Sequence, residues 1–302
     1  MTTSENLRPK DHPRTSMWPP LRIDAWEWAP LVALIGGAWA FTAAEAWAGA
    51  SSKMTLVAAL ALILGGWMPW WRALTETPWR IPLSAWRTWE QAAPLPRWPY
   101  LQPGTPGAKL HRALAQARAW WREVGRAQVA PALWMAARAM LVSGLIAWFL
   151  GRTALLLTLL MLAWTEIAVL WHEGRGEVGT VWAAGAWVGF PWLLGASLSL
   201  NLSAVGVEGA ASAEALMFPA LSALVLMAMT ALILLPSRWA AVGPALAGGF
   251  LLWRGHAFAA GIVLLLALPG LFLLLHHPDA KTYRRALLPW FLAMLILIAS
   301  VL

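Results

Sequence analysis

The sequence predicts an all-α, polytopic membrane bundle of about nine transmembrane helices, with its N-terminus in the cytosol. Hydrophobic residues fill 60% of the 302 positions, charged residues fill only 12%, and the mean hydropathy is +0.61, which is outside the range of soluble domains. Apolar stretches long enough to cross a bilayer recur along the chain. Lys and Arg collect in alternate connections between these stretches, as they do in multi-pass proteins.

Each predicted span is an apolar stretch of sufficient length. A span needs roughly 20 apolar residues, with about 17 as the short limit. The seventh stretch is short and interrupted by Gly and Pro, so a re-entrant or tilted segment is an alternative there. The domain organisation is a polar cytosolic tail, 1–28, and one transmembrane domain, 29–302. The predicted spans are 29–48, 54–71, 129–150, 153–171, 178–200, 214–235, 238–253, 256–275 and 286–302.

The distribution of positive charge sets the predicted orientation. With the N-terminus inside, only Lys53, Arg152 and Arg254 fall in outer connections and Arg138 lies within a span, while every other Lys and Arg is cytosolic. This bias predicts nine spans in the cell (inner) membrane. It also accounts for the net charge of +8 without a nucleic-acid partner.

The largest connection, 72–128, is predicted to be cytosolic. Its first part is rich in Pro and Trp, which disfavours long helices. Its second part, `AKLHRALAQARAWWREVGRAQ`, places Leu110, Leu114, Ala117 and Trp121 on one helical face and its arginines largely on another. We expect a basic amphipathic helix on the inner leaflet, with docking of a partner protein as the alternative.

The turn `HEGRGE` contains His172, Glu173, Arg175 and Glu177 and has two interpretations. As a metal site it lacks the second His of HExxH, and its glycines make it a flexible turn. As a cytosolic hairpin turn it places Glu177 at the positive end of the next helix and Arg175 near lipid phosphate. The turn is the favoured interpretation.

Arg138 and Glu166 are charges within predicted spans, where each is costly unless it is paired. Their helices are joined only by Gly151 and Arg152 and must be antiparallel neighbours. We therefore predict an intramembrane Arg138–Glu166 pair. It either fixes the register of the two helices or lines a headgroup or ion cavity.

Several classes of site have no support in the sequence. The absence of cysteine excludes disulfides, thiolate metal sites and cysteine nucleophiles. No histidine lies mid-span, where haem or chlorophyll ligation would be expected, and nucleotide-binding and serine-nucleophile motifs are missing. We predict no catalytic residues, no metal and no cofactor. The 24 tryptophans are expected to act mainly as interfacial anchors.

The helix number, the long cytosolic connection and the middle segment `LWMAARAMLVSGLIAWFLGRTALLLTLLMLAW` resemble the UbiA-type intramembrane prenyltransferases. That resemblance implies aspartate-rich motifs after helices 2 and 6 that hold magnesium on a diphosphate. Here `GGWMPWWRALTETPWR` and `LLPSRWAAVGP` stand at those places without aspartate. The stretches `RPKDHP` (8–13) and `GRGEVG` (174–179) are partly similar to motifs of the YwiC-like membrane proteins.

The first functional hypothesis is a non-catalytic integral subunit or scaffold of a larger membrane complex. Its partners would be the bilayer and other membrane subunits, with the small residues of `GASLSLNLSAVGVEGAASAEA` and `ALAGG` at helix contacts. The alternative is a divergent prenyltransferase or enzyme that binds an isoprenoid lipid or quinone. A transporter is the third possibility. The enzyme would use magnesium with Glu76, Glu90, Glu173 and Glu177, and would hold diphosphate with Arg72, Arg80 and Arg238.

Overall fold

The computed structural model describes residues 26, 28–41, 49–77, 104–172, 179–204, 213–235, 238–276 and 280–302, and all regular structure in them is helical. Three π-helical segments, Ile63–Trp67, Trp121–Val129 and Gly185–Gly189, join consecutive helices without a break. The α-helices are α1 Trp28–Ala40, α2 Ala50–Leu62, α3 Met68–Thr75, α4 Pro106–Trp120, α5 Ala130–Leu150, α6 Arg152–His172, α7 Thr180–Ala184, α8 Phe190–Ala204, α9 Ala213–Leu234, α10 Val242–Trp253, α11 Ala257–His276 and α12 Ala280–Val301.

The described residues form six helices that are long and apolar enough to cross a membrane, as expected of a multi-pass membrane protein. The first, seventh and eighth predicted spans correspond to shorter apolar helices, so nine spans are not confirmed. The six long helices are Ser51–Thr75, Pro106–Leu150, Arg152–Trp171, Thr180–Leu200, Met217–Leu234 and Tyr283–Val301. The shorter ones are Trp28–Ala40, Val242–Trp253 and Ala257–Leu273.

The backbones of α1 and α8 approach each other closely. A Cβ at Gly37 would collide with the backbone carbonyl of Trp192, and one at Gly195 would collide with the carbonyl of Leu34. The Ser199 hydroxyl donates to the carbonyl of Ala38 on α1 at 2.6 Å. Small residues therefore hold this pair together, as they do in many membrane helix pairs. Gly195 belongs to a small-residue stretch that the sequence predicts at helix contacts, and the structure uses it in a contact within the chain.

The α1–α8 pair lies between two hydrophobic clusters. One cluster joins it to α9, α10, α11 and α12 through residues such as Trp192, Met229 and Phe291. The other joins it to α2, α3, α5, α6 and α7 through residues such as Leu34, Trp67 and Met161. The bundle thus has two halves that share a central helix pair.

Several tryptophans belong to this core. Trp67 and Trp192 are fully buried, and Trp71 is nearly so. The Trp67 indole Nε1 donates to Thr158 Oγ1 at 3.2 Å, and the Trp192 indole Nε1 donates to Ser222 Oγ at 3.0 Å. Both bonds join one helical element to another. The expected role of indole as an interfacial anchor therefore does not cover Trp67 and Trp192, because their ring and their N–H both find partners inside the bundle.

The predicted amphipathic helix is not a separate element. It is the first part of one continuous helix, Pro106–Leu150, in which the π-helical segment Trp121–Val129 joins α4 to α5. Its 45 residues correspond to about 67 Å at 1.5 Å per residue, roughly twice the thickness of the hydrocarbon core. Leu110, Leu114 and Trp121, which the spacing predicts on one helical face, are exposed along it.

Contacts at the two ends of the bundle fix which helix termini lie together. At one end, Phe41 after α1 meets Phe218 near the start of α9, and the Arg254 guanidinium after α10 lies 4.0 Å over the same ring. At the other end, the Tyr283 hydroxyl at the start of α12 donates to the carbonyl of Ile233 at the end of α9. Because Gly243 at the start of α10 packs against α9 near Ile233, α10 runs antiparallel beside α9.

Candidate interaction surface on α5 and α6

The side of α5 that packs into the bundle is a stripe of small residues. Ala132, Ala136, Ala139, Ser143 and Ala147 are buried at helical spacing. Small side chains allow α5 to approach α2 and α3 closely, and a Cβ at Gly66 would collide with Ser143. Helical geometry places Arg138 about 140° around α5 from the middle of this stripe. In agreement, Arg138 is exposed.

The neighbouring helix α6 also has one buried stripe that packs into the bundle. Its buried stripe consists of Ala154, Thr158, Met161, Thr165 and Ala168. Glu166 lies about 120° around the helix from the middle of that stripe and is also exposed. Both charges therefore point away from the core of the bundle.

The two charges lie at nearly the same depth. Arg138 is 13 residues before Gly151, which turns the chain between the two helices with a φ of 103°, and Glu166 is 15 residues after it. At 1.5 Å per residue these separations are about 20 Å and 22 Å, so the two Cα atoms differ in depth by about 3 Å. Across a hydrocarbon core of roughly 30 Å, both belong to the interior of the span.

The structure does not form the predicted ion pair within the chain. Arg138 and Glu166 are both described, and no salt bridge joins them. The reason is rotational: the two residues lie on adjacent helices at similar depth, but the buried stripes of α5 and α6 turn both charges outward.

Large apolar side chains surround each charge on the outward side. We define the α5–α6 outer face as the exposed residues that share the sides of Arg138 and Glu166. Only 22% and 28% of the apolar windows in the α4–α5 and α6 spans are buried, against 72% for the α7–α8 span. These helices are therefore the most open spans described. The outer face consists of Trp134, Arg138, Leu141 and Leu145 on α5 and Leu159, Ala163, Glu166 and Leu170 on α6.

The other candidate residues are only partly within the described regions. Glu76 is exposed after α3, with a carboxylate Oε1 4.0 Å from Arg72 Nε one turn earlier. His172 ends α6 and Arg238 begins a 3₁₀ turn, but their side chains are outside the described set. Glu90, Glu173, Arg80, Arg175 and Glu177 also lie outside the described residues. The convergence of these residues on one cavity, which the enzyme hypothesis needs, therefore stays a prediction.

Within the described residues, no group of three or more His, Asp or Glu side chains could hold a metal ion. The same part of the chain contains an open apolar groove of about 540 Å³ between α11 and α12. Its lining, which is Leu268, Pro269, Phe272, Leu273, Ala286 and Trp290, carries no ionisable group. Such a groove fits a hydrocarbon chain and offers no ligand for a diphosphate.

The outward orientation of Arg138 could have been predicted from the sequence of α5. Alanines and one serine recur every three or four residues in α5, and this pattern marks the face of a membrane helix that packs closely. Arg138 lies off that face. The pairing hypothesis used depth and adjacency and did not use the rotation about the helix axis.

Comparison with family models, curated proteins and solved structures gave no significant match to the chain. The resemblance to UbiA-type prenyltransferases and to YwiC-like proteins therefore stays a prediction from the sequence.

Proposed function

We propose that this protein is a non-catalytic integral subunit or scaffold of a larger complex in the cell membrane, with its N-terminus in the cytosol. The observation that carries the proposal is the α5–α6 outer face, where Arg138 and Glu166 are exposed within the least buried spans. A charge inside a membrane helix is costly, by about 2.5–3.5 kcal/mol at the helix centre on insertion scales and by less toward its ends, and such residues normally face a protein partner or a water-filled cavity.

Glu166 is harder to accommodate in lipid than Arg138. A long arginine side chain on α5 leans toward the helix N-terminus, which is the nearer membrane boundary, and can reach polar headgroups. The shorter glutamate on α6 leans toward the N-terminus of that helix, away from the nearer boundary. A partner that covers the outer face and supplies a positive charge removes this cost.

The test is purification from the native membrane in gentle detergent, followed by native mass spectrometry. We expect a fixed-ratio assembly for the wild-type chain. The variant with Arg138→Leu and Glu166→Leu is expected to insert and fold but to lose its partners, because its outer face is then wholly apolar. Leu265→Ala, at an exposed residue of α11, is the matched control and retains the assembly.

A wild-type chain that is purified alone, or a double-leucine variant that keeps all its partners, contradicts the proposal. A lone chain that carries an isoprenoid lipid or a divalent metal ion instead supports the enzyme hypothesis.

The groove between α11 and α12 favours a second candidate function, the binding of a long-chain isoprenoid or other lipid. Trp290 forms part of its wall and is 39% exposed, so a chain lying there would cover an indole ring. Leu273→Trp is expected to fill the groove and to remove a co-purifying lipid from the mass spectrum. Retention of that lipid in the variant would exclude the groove as its site.

A further inference from the structure

We propose that the α5–α6 outer face binds a second copy of this chain, with Arg138 of each copy paired to Glu166 of the other. The inference rests on the proposed function, because it names the occupant of the same surface. Its basis is the juxtaposition of one positive and one negative side chain, both directed outward and at matched depth.

A two-fold axis along the membrane normal leaves the depth of every residue unchanged. Residues that are to meet across such an axis must therefore already lie at similar depth in one chain. Arg138 and Glu166 differ by about 3 Å, which their side chains can bridge. A face that carries both charges is then complementary to itself, and one interface contains two ion pairs.

The helix directions fit the same arrangement. In each copy α5 and α6 are antiparallel neighbours. Rotating the second copy by 180° sets its α6 against α5 of the first copy, and its α5 against α6. All four neighbouring contacts of the resulting four-helix group are antiparallel, and the apolar residues around each charge, such as Trp134 and Leu159, exclude water from the pairs.

The chain has no cysteine, so single cysteines provide a clean crosslinking readout. Ala137 and Ala163 are exposed beside the two charges, and Ala137→Cys and Ala163→Cys leave both charges in place. We place these substitutions on two differently tagged copies in the same membrane and oxidise them. We expect a disulfide-linked species that carries both tags. Leu265→Cys paired with Ala163→Cys is the control and is expected to give none.

Charge reversal then tests the pairing. Arg138→Glu alone or Glu166→Arg alone places like charges together at both contacts of a dimer, and we expect crosslinking to fall about tenfold or more. A copy with Arg138→Glu mixed with a copy with Glu166→Arg regains both attractive pairs between unlike copies. Crosslinking between the two tags should then recover to near the wild-type level.

The mixed-copy recovery separates this arrangement from an ion pair within one chain, because each single variant breaks an internal pair and mixing cannot repair it. If no crosslink joins two copies, while the double-leucine variant still loses other subunits, the second copy is the wrong occupant and the proposed function stands. If no crosslink forms and that variant keeps every partner, both are overturned.

Discussion

Close backbone approach at single residues determines how the centre of this bundle is built. Gly37 and Gly195 allow α1 and α8 to touch through main-chain atoms, which no larger side chain at those positions permits. Where the backbones are this close, Ser199 can donate directly to a carbonyl of the opposite helix. Packing of this kind replaces the hydrophobic effect, which does not act between helices in lipid.

Gly195→Leu is expected to lower the free energy of unfolding by about 1–3 kcal/mol or more, because the added side chain forces α8 away from α1. Thermal unfolding in detergent, followed by tryptophan fluorescence, measures the loss. Gly249→Leu on α10 is the control, since a Cβ there meets nothing within 4 Å among the residues described. Equal stability of the two variants would contradict the central role of the α1–α8 contact.

At the scale of elements, the helix Pro106–Leu150 combines an amphipathic segment and a membrane-crossing segment in one continuous element. The π-helical segment Trp121–Val129 makes α4 continuous with α5, so that the basic amphipathic sequence and a stretch long enough to cross a membrane belong to one helix. In a π-helical segment each backbone hydrogen bond spans five residues instead of four, and such a segment is a place where the direction of a helix can change. The orientation of α4 relative to α5 is therefore open to direct measurement.

Spin labels at Lys109→Cys and Leu141→Cys are expected to lie about 48 Å apart if the helix runs straight between them, at 1.5 Å per residue. A helix that turns by a right angle midway onto the leaflet would give about 34 Å instead. Pulsed electron paramagnetic resonance in vesicles distinguishes the two distances. Labels at Leu133→Cys and Leu145→Cys, both within α5, calibrate the measurement at about 18 Å.

At the scale of the whole molecule, the contacts at the two ends of the bundle constrain the proposed topology. Phe41, Phe218 and Arg254 meet at one end, and all three belong to the outer side when the N-terminus is cytosolic. Trp26 donates to the carbonyl of Arg284 at the other end, where both belong to the inner side. These packing contacts group the helix ends as the positive-inside pattern predicts, whichever side of the membrane each group faces.

In right-side-out vesicles, Arg254→Cys and Arg152→Cys are both expected to react with an impermeant maleimide. Lys109→Cys should react only after permeabilisation, because its segment is cytosolic in the proposed topology. Arg254→Cys is the decisive position, since it follows the short helix α10. If its labelling requires permeabilisation, α10 does not cross the membrane and the nine-span arrangement is wrong.

The sequence alone determined that the chain is helical and membrane-embedded, because apolar length and charge density are local properties that no packing can alter. It also placed the amphipathic pattern of α4, and it placed Arg138 and Glu166 within adjacent spans, since both follow from spacing along the chain. Only the tertiary structure decided which side of each helix is buried. Rotation about a helix axis depends on close contacts between distant residues, such as Gly66 with Ser143 and Gly37 with Trp192. On α5 the contact of Gly66 with Ser143, and on α6 the hydrogen bond from Trp67 to Thr158, hold the side opposite the charge against the bundle. Arg138 and Glu166 therefore face outward, and a predicted internal pair becomes a candidate surface for a partner.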